Sequence, residues 1–594
     1  MPPGCLMPAG VLIVFMADNK PNGQGSGERQ APVLQTSAIC EITINQQQIR
    51  YDILEVQLEQ FIDFHHMLRV KIRETGTATA SSDFTDATSY IGFLGQAISL
   101  NIKPQGDHID AGRSLAFAGL VTGINLENSI DGLNEITVVA QSQTIAMDGA
   151  RKNAYFRDQT ASDIIGSVAR RHSITVGQID STKTKFKFSV QKRETDFEYI
   201  MRLAGENGLF AHFDGKEFRA TKANSSTVEE LVWRESLGSF TLGLGTRPTE
   251  LNADVYNYEQ DKTFSQNTSQ LPSQTALSGL SKSSLDASKK IFKDASYSGV
   301  RKRVEDQQSL AEVIQHRGED LLSGMISCVG TSIIPSVTVG HAVRIKGMGV
   351  CDGPYWVTQV KHVLADGGKY HNEFSCAPLD VAFPGAEDSR PRVTSLQRAV
   401  VTDNVDPSNM GRVKVKVPWN STDDTLWVRM AVPYAGSNRG WYTVPEVGDE
   451  VLIGYEEDNP DLAIVLGSLY NKTQAPPSSA PDQDNNFKLF MTRSGHQIIF
   501  DDTDNDEKIS IITKDAKNQI VMKLGGGQPT LTIQSDGDIS IKGKNISIES
   551  DMDCSIKAGG TAKIEGAMLD QKAQGPLQIQ GATVAVKGTP IQLN

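Results

Sequence analysis

Read alone, the sequence predicts a mainly β protein with minor α content, ending in a β-prism rod wound from three copies of the chain. Three patterns carry this expectation. Apolar and polar residues alternate strictly from Ile39 onward, short strands crowd residues 412–466 with no helix among them, and branched apolar residues recur about every eight positions after residue 540. At 594 residues the chain is too long for one core, since a domain usually holds roughly 100–200 residues. Its 39% hydrophobic and 22% charged content is that of an ordinary globular protein. A net charge of −13 argues against broad binding to nucleic acid or an anionic membrane, both of which need a basic footprint.

Residues 1–35 read as a disordered N-terminal segment, with Gly, Asn, Gln and Pro dense in 18–32. The apolar run at residues 11–17 falls short of the ~18 residues a membrane span needs. No Lys or Arg precedes Lys20, so no signal peptide is expected, and Met16 reads as the more conventional start. Strands follow at Ile42 and Ile44, at Leu54, Val56 and Leu58, and at Phe64, His66, Leu68, Val70 and Ile72. Neighbours in a strand point to opposite faces, so His65 and His66 are expected to be ordinary strand residues that do not share a metal.

Thr160-Ala161-Ser162-Asp163 and Thr195-Asp196-Phe197-Glu198 each have the form of a capping box opening a short helix. Phe197, Ile200, Met201 and Ala204 give the second helix one apolar stripe, and Gly208 is placed to stop it. Residues 262–289, dense in Ser, Gln and Thr, read as a linker. A helix is expected within 304–325, where Leu310, Val313, Ile314 and Leu321 share a face, and strands resume at Val337, Val343, Trp356 and Val360. Beyond a boundary at 382–391, short strands at 412–417, 427–432, 450–455 and 462–466 suit a small Greek-key barrel such as an OB-fold. A Pro/Ser linker covers 474–486.

Ile541, Ile548, Ile556 and Ile564 lie seven, eight and eight residues apart, and Ile541-Lys542-Gly543, Ile564-Glu565-Gly566, Ile579-Gln580-Gly581 and Val586-Lys587-Gly588 repeat one triplet. Eight residues make one strand and a turn, too little to close a coil alone. Three chains about one axis would complete it, with Ile and Val inward and Gly at the turns. Residues 487–594 are therefore expected to form a stiff trimeric needle; the competing expectation is a meander of hairpins.

Gln191-Lys192-Arg193-Glu194-Thr195-Asp196-Phe197 with Arg202-Leu203-Ala204 and Gly208 resembles the hub signature of VgrG-type spikes, the fused hub and needle proteins of contractile injection machines. Trp427-Val428-Arg429, Gly440-Trp441, the run Pro445 to Val451 and Asn459-Pro460-Asp461 resemble that family's OB-domain signature. Gly467 to Asn471 and Ser494-Gly495-His496-Gln497 extend the resemblance towards the needle. It implies a hub of two barrel-like domains with helical insertions over 36–385, an OB-fold collar over 390–473 and the needle over 487–594. It also implies a homotrimer seated on the first ring of an Hcp-like inner tube among baseplate proteins, with a PAAR-repeat tip protein and separate effector cargo. Such a spike would be assembled in the bacterial cytoplasm, leave with the injection particle and touch a target membrane only in passing. Glu446 stands where many type VI secretion members carry Arg, which tilts the expectation towards an extracellular phage-like particle. The last layer, Thr589, Pro590, Ile591, Gln592, Leu593 and Asn594, is expected to dock the cap through exposed strand edges. The alternative is a carbohydrate-binding tail spike, which glycan binding by the isolated chain would reveal.

No catalytic, cofactor or metal site is expected. The ten or so residues between collar and needle cannot hold the lysozyme domain that some phage relatives insert there, and nothing extends beyond the last repeat. The acidic run 501–507 lacks the Gly and Glu of a calcium loop and reads as a hairpin turn. Gly525-Gly526-Gly527 has no following Lys-Ser/Thr and reads as the bend where the rod begins; Ser494 and His496 lack a nucleophile elbow. No His follows His496, which argues against an iron-bearing tip. Trp419, Trp427, Trp441 and Tyr442 with Arg412, Lys414 and Lys416 could suggest a single-strand nucleic-acid platform, but residues 440–471 hold seven acids and no Lys or Arg. Cys5, Cys40, Cys328, Cys351, Cys376 and Cys554 show no CxxC spacing and are expected to be buried, inert thiols.

Overall fold

The computed structural model describes residues 34–592 apart from 50, 74–89, 106–111, 129–133, 226–227, 272–273, 275–276, 278, 301, 366, 386–394, 420–424, 460 and 479–481. The expected disorder of residues 1–35 lies almost wholly outside the described residues. The chain divides into two compact units, Met1–Gln474 and Ala475–Asn594.

In the first unit, strands β1 (Thr36–Ile44), β2 (Asp52–Phe61), β3 (Met67–Arg73), β4 (Ala97–Gln105), β5 (Leu115–Asn128) and β6 (Asn134–Ser142) precede a first insertion. After it come β7 (Val228–Val232) and β8 (Leu237–Leu244), a second insertion, then β9 (Ile326–Ser332), β10 (Ala342–Lys346), β11 (Gly353–Ala365) and β12 (Lys369–Pro378). Two closed barrels result. The first has the order β11-β2-β3-β6-β5-β4-β1-β12 and closes through the β11–β12 pair, antiparallel throughout. The second has the order β7-β10-β11-β12-β9-β8, with Trp233 and Leu237 bridging its ends.

The two barrels therefore share β11 and β12, and the cause is visible in the register. Gly353–Trp356 lie opposite β10, whereas Gln359–Ala365 lie opposite β2. Between them, at Thr358, the register against β12 slips by one residue. A bulge of this kind bends a strand and re-aims its faces, so one strand serves two cores. Leu58, Leu68, Val70, Ile72, Ile136 and Val138 fill the first, and Leu231, Val343, Ile345, Val357 and Phe374 fill the second.

The strand expected to start at Phe64 begins at Met67, because residues 62–66 form a turn. Alternation therefore does not govern His65 and His66, and both are buried. The first insertion holds α1 (Ala161–Arg170) and α2 (Asp196–Glu206), each opened by the expected capping box, and their stripes meet around Ile164, Ile165, Phe197, Ile200, Leu203 and Phe218.

The second insertion corrects an expectation. Residues 262–289 are no linker: a strand (Lys262–Asn267) pairs with Leu251–Asn257, and α3 (Gly279–Ile291) follows. The serines mislead because they are small and satisfied locally. Ser288 Oγ donates to the Ser284 carbonyl at 2.8 Å and Ser281 Oγ to Asp380 at 2.9 Å, so the helix packs closely and Leu285 reaches the second core. Helix α4 (Gln307–Ser323) lies within the expected span.

A smaller barrel ends the first unit: β13 (Gln397–Asp403), β14 (Lys414–Lys416), β15 (Arg429–Met430), β16 (Glu450–Tyr455) and β17 (Ala463–Ser468). Their order, β14-β13-β16-β17-β15 with β15 and β17 parallel, closes through a Val413–Val428 bridge over a valine-rich core. Gly448 (φ +97°) lets the Pro445–Asp449 turn direct its N–H to the Val401 carbonyl, a conformation a side chain would strain.

In the second unit, β18 (Phe487–Met491), β19 (Gln497–Asp501), β20 (Lys508–Ile512), β21 (Asn518–Lys523) and β22 (Thr530–Ser535) form one antiparallel meander. Pairing here is within the chain, which corrects the expectation that every layer from residue 487 is shared. Gly495, Asn505, Ala516, Gly526 and Gly527 all take positive φ at the hairpin turns. Gly525-Gly526-Gly527 is one such turn, between β21 and β22, rather than the start of the rod. From residue 536 to 592 the chain makes no strand with itself and every residue is exposed.

Candidate functional site

The hub signature builds a rigid corner. Arg202 of α2 donates from Nε and Nη2 to both carboxylate oxygens of Glu194, at 2.6 and 2.8 Å, and from Nη2 to the Val190 carbonyl at 3.1 Å. Asp196, wholly buried, receives Lys152, His172 and Gln191 at 2.6, 2.7 and 2.9 Å. Thr195 caps α2 and donates to Asp148 at 2.6 Å. Asp148 in turn lies 3.5 Å from His65, whose ring stacks 3.9 Å from Phe197. Gln191, Glu194, Thr195, Asp196, Phe197 and Arg202 are thus spent on fastening α2 to its strand and to the first barrel.

A second cluster fastens the small barrel to the hub. Arg412 pairs with Asp406 at 2.9 Å and with Glu259 at 2.8 Å. Arg303 reaches Glu259 and Glu305 at 3.0 and 2.7 Å, and Lys187 reaches Glu305 at 2.7 Å. The Arg412 guanidinium beside Asp406 holds that carboxyl far below the usual range. Lys192 lies over Tyr455 (4.6 Å) and Arg429 over Tyr258 (4.7 Å). This seam consumes much of the imagined nucleic-acid platform. Arg412 is buried in ion pairs, Trp419 packs on Tyr155, and Lys414 covers Trp427. Trp441 and Tyr442 are elsewhere, exposed on a hairpin.

The barrel junction holds a polar network that sequence reasoning missed. His362 (β11) bonds the Tyr370 hydroxyl at 2.7 Å and Gln60 at 3.1 Å; Thr338 donates to Gln60 at 2.8 Å and Asn372 to Tyr370 at 2.9 Å. Burial lowers His362 and His66 to about 3 and His212 to about 4. The polar letters in these strands were the available signal, but alternation alone assigns them no partner.

The second unit carries the site with an unmet need. Two rows cross all five strands on one face: Phe490, Ile498, Ile511, Ile520 and Ile533, and beside them Lys488, Phe500, Ile509, Met522 and Leu531. All nine apolar members are more than a third exposed. Beyond them Ile541, Ile548, Ile556, Ile564, Ile579 and Val586 are each at least 65% exposed. A folded chain rarely leaves a contiguous apolar surface of this extent to water. Thr589, Pro590, Ile591 and Gln592 are exposed at the end, while Leu593 and Asn594 lie outside the described residues.

The acidic run at 501–507 is the expected turn between β19 and β20, and lysines occupy it: Lys508 lies 3.1 Å from Asp501 and 2.8 Å from Asp506, which also pairs with Lys523. Among the described residues no group of three or more His, Cys, Asp or Glu is placed to hold a metal, and no helix is long and apolar enough to cross a membrane. Of the cysteines, Cys328 and Cys376 are buried as expected; Cys40 and Cys351 are only half-buried, and Cys554 is exposed because its stretch has no core within the chain. Cys5 lies outside the described residues.

Comparison with known proteins places these features. The sequence profile of the phage tail baseplate hub (GPD) matches residues 68–368. That of the type VI secretion system/phage-baseplate injector OB domain matches 397–470. The chain is 23% identical over 385 residues to the actin cross-linking toxin VgrG1 of Vibrio cholerae, covering 59% of this chain and 34% of that protein. It is 24% identical over 383 residues to the type VI secretion system spike protein VgrG4b of Pseudomonas aeruginosa, covering 55% and 45%. The chain thus spans less than half the length of these curated relatives. Among solved structures, the Francisella PdpA-VgrG complex, half-lidded, shares the fold at a TM-score of 0.55 and 8% identity, over 85% of this chain and 89% of that one.

Proposed function

The chain belongs to the phage tail baseplate hub family, and from that premise we propose that it is the hub and needle of a contractile, phage-tail-like injection machine, working as a homotrimer. Its role is mechanical. Sheath contraction supplies the energy, the twin barrels take thrust from the inner tube, and the trimeric needle concentrates it on a narrow point that pierces the target envelope. Baseplate proteins surround the hub, a PAAR-repeat protein caps residues 589–594, and cargo travels as separate effector. Assembly takes place in the bacterial cytoplasm before the particle leaves.

The observation that carries this reading is the unmatched apolar surface of the second unit. Nine large side chains on one face of the meander, and a run of isoleucines beyond it, stay more than a third exposed. Burial of each is worth about 1.5–3 kcal/mol, so a second and third copy are the natural cover. Three copies also complete a coil that an eight-residue repeat leaves two-thirds open.

The test is the mass of the purified full chain in solution. Light scattering coupled to size exclusion should give three times the 64.5 kDa monomer mass at micromolar concentration. A stable, folded monomer under those conditions overturns the proposal.

A further inference from the structure

We propose that Cys328 and Cys376 form a latent disulfide site, a covalent staple for the second barrel that closes when the protein meets a peroxide oxidant. Cys328 lies on β9 and Cys376 on β12, directly opposite one another in the antiparallel register. Such partners hold their Cα atoms about 4.5 or 5.5 Å apart, and both spacings fall inside the window of about 4.4–6.8 Å that a disulfide spans. The Cys328 thiol is near enough to Cys376 to help raise it. They sit in the second core with Ile326, Val357 and Phe374, and the Tyr355 side chain beside them is anchored through its hydroxyl to the Cys351 carbonyl at 2.7 Å.

Among the described cysteines the pairing is particular to these two. Cys40 stands on β1 of the other barrel, Cys351 belongs to a surface turn, and Cys554 lies in the second unit. Burial raises the Cys376 thiol well above the ordinary range, so the pair reacts slowly, and the closed core admits only a small, neutral oxidant. With hydrogen peroxide the chemistry closes. One cysteine sulfur attacks a peroxide oxygen as its thiol proton is lost; the O–O bond breaks, and the departing hydroxide takes a proton to become water. The neighbouring sulfur then attacks the sulfenic sulfur, the S–S bond forms, the S–O bond breaks, and a second water leaves. Two thiols and one peroxide give one disulfide and two waters.

The location gives the staple its effect. β12 belongs to both barrels and β9 to the second alone, so the bond pins the common strand to its neighbour in the second barrel. It encloses a loop of about 50 residues, long enough for a cross-link to restrict the unfolded chain appreciably.

The test uses the full-length native protein. It is held in millimolar hydrogen peroxide for up to a day, quenched with catalase, denatured in N-ethylmaleimide and digested for mass spectrometry. The expected product is a peptide pair linked through Cys328 and Cys376, 2 Da lighter than its reduced sum, in most molecules. The thermal midpoint should rise by about 5 °C, and a Cys376→Ser chain that matches the reduced wild type should show no rise. Recovery of both cysteines as maleimide adducts, as separate sulfinic acids, or linked to Cys40, Cys351 or Cys554 overturns the proposal.

Discussion

Glu194 and Arg202 face each other with almost no water between them, so removing one strands the other charge in a low dielectric. Arg202→Met is expected to destabilise the hub by about 3–5 kcal/mol, seen as a lower urea midpoint. Arg202→Lys should recover only part, because an ammonium cannot make the two parallel bonds of the guanidinium fork. The histidines at the barrel junction give a second prediction at this scale. His66 and His362 resist protonation until about pH 3 and His212 until about pH 4, whereas an unfolded chain takes up those protons near pH 6.5. Their contribution is complete above 6.5 and is lost as pH falls through the folded values, at about 1.4 kcal/mol per pH unit for each ring. His66 and His212 repel when charged and Asp214 offsets this only in part. Thermal midpoints should therefore fall steeply between pH 6.5 and 4.5. His362→Gln should make that slope shallower.

At the scale of elements, what the sequence made legible is what local chemistry decides. The capping boxes at Thr160 and Thr195 open helices because a hydroxyl and a carboxylate three residues apart satisfy free N–H groups whatever surrounds them. The hairpin turn at 501–507 was legible for the same reason. Helix α3 was not, since serines that satisfy their own backbone look in composition like a solvated tether. The sharing of β11 and β12 was hidden because Trp356-Val357 and Val360 give an apolar pattern that fits either barrel, and only distant partners decide. The needle was half legible: its period pointed to an unclosed surface, while the positive-φ turns that fold 487–535 back on itself were read too lightly. The meander face gives this scale its prediction. Ile520 sits mid-row between Ile511 and Ile533, so Ile520→Asp should reduce the solution mass from three chains towards one. The circular dichroism and melting of the Met1–Gln474 unit should stay unchanged, whereas a loss of folded hub would mean the face supports its own chain.

For the whole molecule, buried charge gathers at one seam. The Arg412–Glu259–Arg303 seam ties small barrel to hub with several mutually satisfied ions, and Glu259 is the member both arginines share. The far end of the chain makes the complementary prediction. Deletion of 589–594 should leave the trimer mass intact and abolish co-elution with a PAAR-repeat protein. Retained co-elution would place the cap elsewhere on the needle.

The slip at Thr358 has a consequence for how this protein can be divided. Because one continuous strand crosses between the two walls at that residue, no boundary drawn in the chain releases the first cylinder without the second. A cut between β6 and β7 keeps all the staves of the second, β7 to β12, together and takes two from the first. Fragments ending before residue 353 lack two staves in both, β11 and β12, and fragments beginning there hold only those two. Truncation or evolutionary exchange can therefore part the second cylinder from the first six strands, whereas the first is gained or lost only together with the second.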